Sequence, residues 1–145
     1  MKTSHFKKCT HGDGRVSIAN YEPKGLDTNG LSYYKDLAPT RQMIGGRLTE
    51  ADYLQIFTET ILGPLDPQKV WNDLHELTGG AEPILLCWCR SLPTPTTCHR
   101  QIVAAWLNNA LGHEIVEWQK PDKATKAPPP AAQGQLFGMP SAFGR

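Results

Sequence analysis

The chain has 145 residues, a formal net charge of +1, and 39% hydrophobic and 20% charged residues. This composition is that of an ordinary globular protein, and it argues against a disordered chain and against strong non-specific binding to nucleic acid. No apolar run approaches the roughly 20 residues that span a bilayer, and residues 1–14 contain no apolar secretion signal. We therefore expect a cytoplasmic location, no membrane partner and cysteines that are reduced.

The first part of the chain predicts two short strands and a long irregular segment. Residues 3–9 are weakly strand-like, and residues 15–20 alternate between apolar and polar side chains. Residues 21–48 contain six glycines and prolines, which predicts a loop with a short helical turn at 32–37. A loop of this length in a small domain is usually functional or only partly ordered.

Two helices are predicted next. Thr49 can cap the first helix, whose apolar stripe includes Leu54 and Phe57, and Gly63-Pro64 ends it. Asp66-Pro67 begins the second helix, because Asp is a good N-cap residue and Pro suits the first helical position.

A strand, a loop, a helix and another strand are predicted between residues 83 and 118. The apolar run at 84–86 is typical of a strand that is covered on both faces. A helix from about residue 97 to residue 111 and a strand at 114–118 complete a βαβ unit with parallel strands. The sequence thus predicts an α/β fold for residues 1–118, a small Rossmann-like three-layer domain with a mostly parallel sheet.

The candidate site lies where the strand near residue 87 ends and the next helix begins, which is the usual place for a site in a parallel sheet. Cys98 and His99 lie in the first helical turn, where the helix dipole and the charges of Arg90 and Arg100 favour a thiolate. Cys98 or Cys87 is therefore a candidate nucleophile, with His99 as the acid or base.

The same residues allow three other interpretations. The helix start, Arg90, Arg100 and the Thr97 hydroxyl would suit a phosphate or carboxylate, which predicts an anion site. The cysteines would alternatively be small packing residues of the core. A zinc site is the third alternative, but no metal or other cofactor is predicted because the spacing of its four ligands is irregular: Cys87, Cys89, Cys98 and His99.

Several short motifs resemble the bacterial and viral family called domain of unknown function 488. The resemblance covers about residues 1–118 and implies a compact α/β fold with a shared pocket and no settled activity. Many members carry a glutamate two residues after the strand cysteine, where this chain has Cys89, so a role for that carboxylate is not carried over. The similar motifs are Arg15–Ala19, Tyr34–Pro39, the helix from Thr49, Leu85–Cys87, Cys98–Arg100, Val103–Leu107 and Gly112–Glu117.

The composition changes after residue 118, since five of the twelve prolines lie in residues 119–145. This part of the chain is predicted to be a flexible tail. Its segment Gln133-Gly-Gln-Leu-Phe137 resembles the Q-x-x-L-F peptide with which bacterial replication and repair proteins bind the DNA sliding clamp. Gln133, Leu136 and Phe137 would then contact the clamp, or else Leu136 and Phe137 would pack back onto the domain.

Together these features predict a protein of nucleic-acid metabolism. Its pocket at residues 87–100 would bind an anion, a nucleotide or DNA, and its tail would recruit it to the sliding clamp. One alternative is a non-catalytic interaction protein, such as a viral inhibitor or adaptor. The other is a thiol-dependent enzyme unrelated to DNA, so the sequence leaves open whether the protein is an enzyme and whether the 21–48 loop closes over the pocket.

Overall fold

The computed structural model describes residues 1–45, 48–88 and 98–120, which form an α/β fold around one five-stranded sheet. All strand pairs are parallel, and the strand order is β3-β2-β4-β1-β5. The predicted α/β class with a parallel sheet is therefore confirmed. The strands are β1 Lys2–His5, β2 Arg15–Ser17, β3 Ser32–Tyr33, β4 Ile84–Cys87 and β5 Val116–Glu117.

Two of the helices begin at residues whose side chains satisfy free backbone N–H groups. The Thr49 hydroxyl accepts from the Asp52 N–H at 3.1 Å, and the Asp66 carboxylate accepts from the Lys69 N–H at 3.3 Å. No helix in the described part of the chain is long and apolar enough to cross a membrane. The helical elements are a 3-10 turn at Lys35–Leu37, α1 Arg41–Gly45, α2 Glu50–Ile56, a π-helical turn at Phe57–Leu62, α3 Pro67–Leu77 and α4 His99–Leu111.

The segment at 21–48 contains more regular structure than the sequence predicts. The predicted helical turn at 32–37 is only partly correct, because its first two residues form β3, which pairs with β2, and only Lys35–Leu37 forms a 3-10 turn. Helix α1 follows this turn. A two-residue strand is too short to show an alternating pattern, so sequence reasoning overlooks it. The helix predicted from Thr49 continues beyond α2 in π geometry, with a bond from the Gly63 N–H to the Thr58 carbonyl at 2.8 Å.

The first strand ends earlier than predicted because the chain turns after His5. The N–H groups of Lys8 and Cys9 both donate to the His5 carbonyl, at 2.9 Å and 3.0 Å. This turn directs the following residues across one face of the sheet, where Phe6 and Cys9 are buried.

Alternating side chains of β4 contribute to two apolar clusters, one on each face of the sheet. Leu85 belongs to the larger cluster, which includes side chains of α3 and α4, such as Leu74 and Leu107. Leu86 belongs to the smaller cluster, whose other described members come from strands and irregular segments. The three layers are thus helices, sheet and a cover of irregular segments.

The strand order determines which residues can meet at the end of β4. Strand β1 lies between β4 and β5, with His5 beside Cys87 and Thr3 beside Glu117. In the predicted βαβ unit, β4 and β5 are therefore parallel but not adjacent, because β1 lies between them. As a result, the start of α4 can contact side chains from both β4 and β5.

Candidate functional site

Cys87 and Cys98 are in direct contact in the interior of the protein. Cys87 is the last residue of β4 and Cys98 is the N-cap residue of α4. Both residues are buried, and their Sγ atoms are 3.1 Å apart. Because a thiol can donate and a sulfur can accept, this contact fits an S–H of one cysteine that donates to the other.

Arg100 points one guanidinium nitrogen at both sulfurs. Its Nη1 atom is 2.9 Å from Cys87 Sγ and 3.2 Å from Cys98 Sγ. A guanidinium only donates, so both sulfurs act as acceptors, and a cation in this position favours a thiolate over a thiol. The arrangement suits a pair of sulfurs that share one proton and one negative charge.

Glu117 holds the Arg100 side chain in this position. Two parallel bonds join Arg100 Nε to Glu117 Oε1 at 3.1 Å and Arg100 Nη2 to Glu117 Oε2 at 2.7 Å. The Thr3 hydroxyl also donates to Glu117 Oε1, at 2.7 Å. Burial acts to lower the Arg100 pKa, but the bonds to Glu117 and the attraction that either cysteine exerts when it is ionised outweigh burial and raise the pKa. Arg100 is therefore a permanent cation at the two sulfurs.

The anion that Arg100 binds in this structure is a carboxylate of its own chain. Arg100 is only 7% exposed, and most of its N–H groups donate to Glu117 and to sulfur. Sequence reasoning overlooked Glu117, although an acidic residue between Val116 and Trp118 in a predicted strand was a usable signal. An ionised side chain in a buried strand requires an oppositely charged partner.

His99 is buried beside the two cysteines, in the first turn of α4. Its Nε2 atom is 2.9 Å from the Ile18 carbonyl oxygen, which can only accept, so Nε2 carries a proton and donates. Burial lowers the His99 pKa below its ordinary value of 6.5, and the ring is neutral at pH 7. Nε2 of His99 is therefore committed to the backbone.

An exposed aromatic ring follows the end of β4 in the chain. Trp88 follows Cys87 directly and is 42% exposed. Its ring is 5.3 Å from the His5 ring, and Lys7 Nζ lies 5.5 Å from the Trp88 ring centroid. Sequence reasoning did not select Trp88 as a site residue.

A metal ion bound by Cys87 and Cys98 would lie beside the Arg100 guanidinium, which is itself a cation. Among residues 1–45, 48–88 and 98–120, no group of three or more His, Cys, Asp or Glu side chains could hold a metal ion. The Arg100 guanidinium within about 3 Å of both sulfurs repels a second cation there. The described members of the zinc alternative, Cys87, Cys98 and His99, thus bind Arg100 and the backbone.

Several of the predicted site residues lie outside the described part of the chain. Anion binding by Arg90 and Thr97 and clamp binding by the tail therefore stay predictions, as does any metal binding by Cys89. The residues concerned are Cys89, Arg90, Thr97, Gln133, Leu136 and Phe137.

Searches against protein-family models, curated proteins and solved structures gave no match to this chain. Its function is therefore inferred from the chemistry of the site and from the sequence of the tail.

Proposed function

We propose that the protein is a thiol-dependent enzyme in which Cys98 and Cys87 supply the nucleophile. The observation that supports this most directly is that both sulfurs accept from Arg100 while their Sγ atoms lie 3.1 Å apart. Cysteines that only fill space in a core need no buried cation, since an uncharged thiol packs as a small apolar group. The Arg100 guanidinium lies within hydrogen-bonding distance of both sulfurs, where it would stabilise a negative charge on either of them.

Cys98 is the attacking group in this proposal. As the N-cap residue of α4 it lies in the positive field of the helix dipole, which adds to the effect of Arg100. Cys87 would hold the shared proton, so that the charge resides on the Cys98 sulfur during attack. The neutral ring of His99, one residue further along, would act as the acid or base toward the substrate.

We further propose that the substrate carries an anionic group and an aromatic base, as a nucleotide does. The start of α4 offers backbone N–H groups and a positive dipole to a phosphate. The exposed ring of Trp88, with Lys7 beside it, offers a stacking surface and a cation. Arg90 and Thr97 would add to the anion site, as the sequence predicts.

Titration of the thiolate by its ultraviolet absorbance tests the nucleophile and needs no reagent to enter the buried site. We expect roughly one thiolate per folded chain near neutral pH, because Arg100 stabilises the charge. Cys98→Ser should remove most of this absorbance, because Cys98 carries the charge, whereas Cys87→Ser should keep it on Cys98, which still accepts from Arg100. Cys9→Ser is the matched control and should keep the absorbance.

Absence of a thiolate in the folded wild-type protein up to about pH 8.5, the ordinary value for a free cysteine, would contradict the proposal. The two sulfurs would then be packing residues and the Arg100–Glu117 pair a structural ion pair.

A second candidate function is association with the DNA sliding clamp, and the tail sequence Gln133-Gly-Gln-Leu-Phe137 supports it. The apolar Leu-Phe pair would enter a pocket and the glutamine would bond at its rim, while the tether keeps the domain near DNA.

Binding of the full chain to purified clamp tests this association. We expect the double change Leu136→Ala and Phe137→Ala to weaken binding at least about tenfold, because such anchors contribute most of the binding energy. Phe143→Ala, outside the motif, is the control. Equal binding by the wild type and the double variant would exclude the motif, and clamp binding without a thiolate would favour a non-catalytic adaptor.

A further inference from the structure

We infer that Cys87 and Cys98 are a site of reversible disulfide formation by hydroperoxides, and that this modification switches off the proposed nucleophile. The pairing itself follows from the geometry of the two cysteines. Only the loss of nucleophilic activity rests on the proposed function.

The two cysteines are placed so that a bond between them requires little movement. Their Sγ atoms are 3.1 Å apart, so the approach needed to reach bonding distance is about 1 Å. They belong to different elements, since Cys87 ends β4 and Cys98 precedes α4. Residues at the ends of elements can adjust more easily than residues in their interiors, because fewer backbone hydrogen bonds hold them.

The chemistry proceeds in two balanced steps. The Cys98 thiolate attacks one oxygen of the hydroperoxide, the O–O bond breaks, and the leaving hydroxide or alkoxide takes a proton from solvent to become water or an alcohol. This step oxidises Cys98 to a sulfenic acid. The Cys87 thiol then attacks the Cys98 sulfur as it gives up its proton, the S–O bond breaks, and the leaving hydroxide takes this proton and departs as water. Overall, two thiols and one hydroperoxide give one disulfide, one water and one alcohol or a second water.

Cys98 is the better choice for the first step. It retains 4% exposure, whereas Cys87 is fully buried, and it lies at the positive end of α4. Arg100 donates to both sulfurs and so stabilises negative charge on the sulfur that attacks in each step. The buried setting admits a small oxidant and disfavours exchange with a large protein disulfide.

Cys9 provides an internal comparison because it is also buried. Burial raises the Cys9 pKa even though the nearby charge of Arg15 acts to lower it. Its sulfur is 3.9 Å from the His11 carbonyl oxygen, which accepts from a thiol and opposes a thiolate. Cys9 should therefore react slowly with a hydroperoxide, since the thiolate is the reactive form.

Oxidation changes the partners of Arg100. A disulfide carries neither a negative charge nor an S–H group, so Arg100 Nη1 loses its anionic acceptors, while the two bonds to Glu117 remain. The site then has no nucleophile until a small dithiol reduces the bond. The concentration of hydroperoxide thus determines whether the site contains a reactive thiolate or an unreactive disulfide.

Treatment of the full-length wild-type protein with hydrogen peroxide, followed by non-reducing peptide mass spectrometry, tests the inference. We expect a cross-linked peptide that joins Cys87 to Cys98, the loss of two hydrogens from the chain, and full reversal with dithiothreitol. A chain that ends in sulfinic acid at Cys98, or that joins Cys98 mainly to Cys9 or Cys89, would overturn the inference.

Three variants assign the two steps. In Cys87→Ser, the sulfenic acid at Cys98 should persist and be trapped by dimedone, whereas Cys98→Ser should trap at least about tenfold less at Cys87, since its thiolate lacks the helix dipole. Cys9→Ser should cross-link like the wild type. If the wild type forms the cross-link but shows no thiolate absorbance at neutral pH, the proposed nucleophile is refuted and the inferred disulfide stands. If it shows the absorbance but forms no cross-link, the disulfide is refuted and the proposed nucleophile stands.

Discussion

Among the residues that the structure describes, two arginines are buried, and they bind different kinds of acceptor. Arg15, at the start of β2, is fully buried and donates from Nε and Nη2 to three backbone carbonyls, those of Gly12, Asp27 and Asn29, at distances of 2.7 to 3.2 Å. Arg100 donates instead to the Glu117 carboxylate and to two sulfurs. Arg15 therefore bonds to uncharged backbone groups, whereas Arg100 bonds to side chains that can carry a negative charge.

The comparison extends to the cysteines near each arginine. The positive charge of Arg15 acts to lower the pKa of the Cys9 thiol, but burial has the larger effect and raises this pKa. Cys87 and Cys98 receive an N–H directly from Arg100 at 2.9 and 3.2 Å. A nearby positive charge is therefore not enough to activate a buried thiol, and a direct hydrogen bond to the sulfur is the feature that separates the two settings.

Arg15→Met should have the largest effect on stability. It leaves three carbonyls without their donor, and we expect the free energy of unfolding to decrease by roughly 3–5 kcal/mol. Chemical denaturation measures this change. The thiolate absorbance of the folded fraction should stay unchanged.

The control is Arg41→Met, which removes an exposed arginine that lies 5.9 Å from the Tyr21 ring. We expect a change within about 0.5 kcal/mol, as is usual at the surface. Equal effects of the two substitutions would show that the carbonyl contacts of Arg15 contribute little.

Arg100→Met should be slightly less destabilising but should change the chemistry. We expect a decrease of roughly 2–4 kcal/mol in the free energy of unfolding, since Glu117 remains partly buried without its partner. The thiolate absorbance should move to higher pH, because the sulfurs lose their donor. Both measurements use the same folded sample.

Glu117→Gln is the matched variant for this second prediction. It keeps the side-chain shape and an acceptor oxygen for Arg100, and leaves the guanidinium near the sulfurs. The thiolate absorbance should therefore persist at neutral pH. If Glu117→Gln lost the thiolate absorbance while Arg100→Met kept it, Glu117 rather than Arg100 would be the residue on which the thiolate depends.

The elements that are long and periodic were predictable from the sequence, and the residues that complete the site were not. Capping by Thr49 and Asp66 and the apolar run of β4 follow local rules, so α2, α3 and β4 were expected. The contact of Cys87 with Cys98 could be expected, because a strand end and the next helix start lie close together in a βαβ unit.

The partner of Arg100 could not be deduced in the same way. Glu117 reaches the site only because β1 lies between β4 and β5 and because Thr3 and Glu117 share a register position. Strand order is a long-range property that a local pattern does not contain. For the same reason the sequence did not reveal that His99 donates to the backbone of Ile18, a residue 81 positions away.

The stability of the protein should decrease as the pH falls below about 6.5 because of His99. Burial lowers the His99 pKa in the native state, whereas the unfolded chain retains the ordinary value of 6.5. Below pH 6.5 the unfolded state therefore binds a proton that the native state does not, and the free energy of unfolding falls by up to about 1.4 kcal/mol per pH unit. Denaturation at several pH values measures this slope.

His99→Gln should flatten the slope in this range. The carboxylates of Asp27, Asp73 and Glu82, whose hydrogen bonds lower their pKa, lose their contribution only at more acidic pH. These carboxylates do not affect the slope above about pH 5, because the ordinary pKa values of Asp and Glu are near 4. An unchanged slope in His99→Gln would mean that another group takes up the proton.

Cys9→Ser should have the smallest effect and is the closest test of the contrast between the two sites. The hydroxyl can donate to the His11 carbonyl as the thiol does, so the lost stability comes mainly from placing a more polar atom beside Phe6 and Leu86. We expect a decrease of about 1 kcal/mol in the free energy of unfolding. The thiolate absorbance and the rate of oxidation by hydrogen peroxide should equal those of the wild type. A lower thiolate absorbance in Cys9→Ser would place the reactive charge near Arg15 instead, because Cys9 would then be the thiol that titrates at neutral pH.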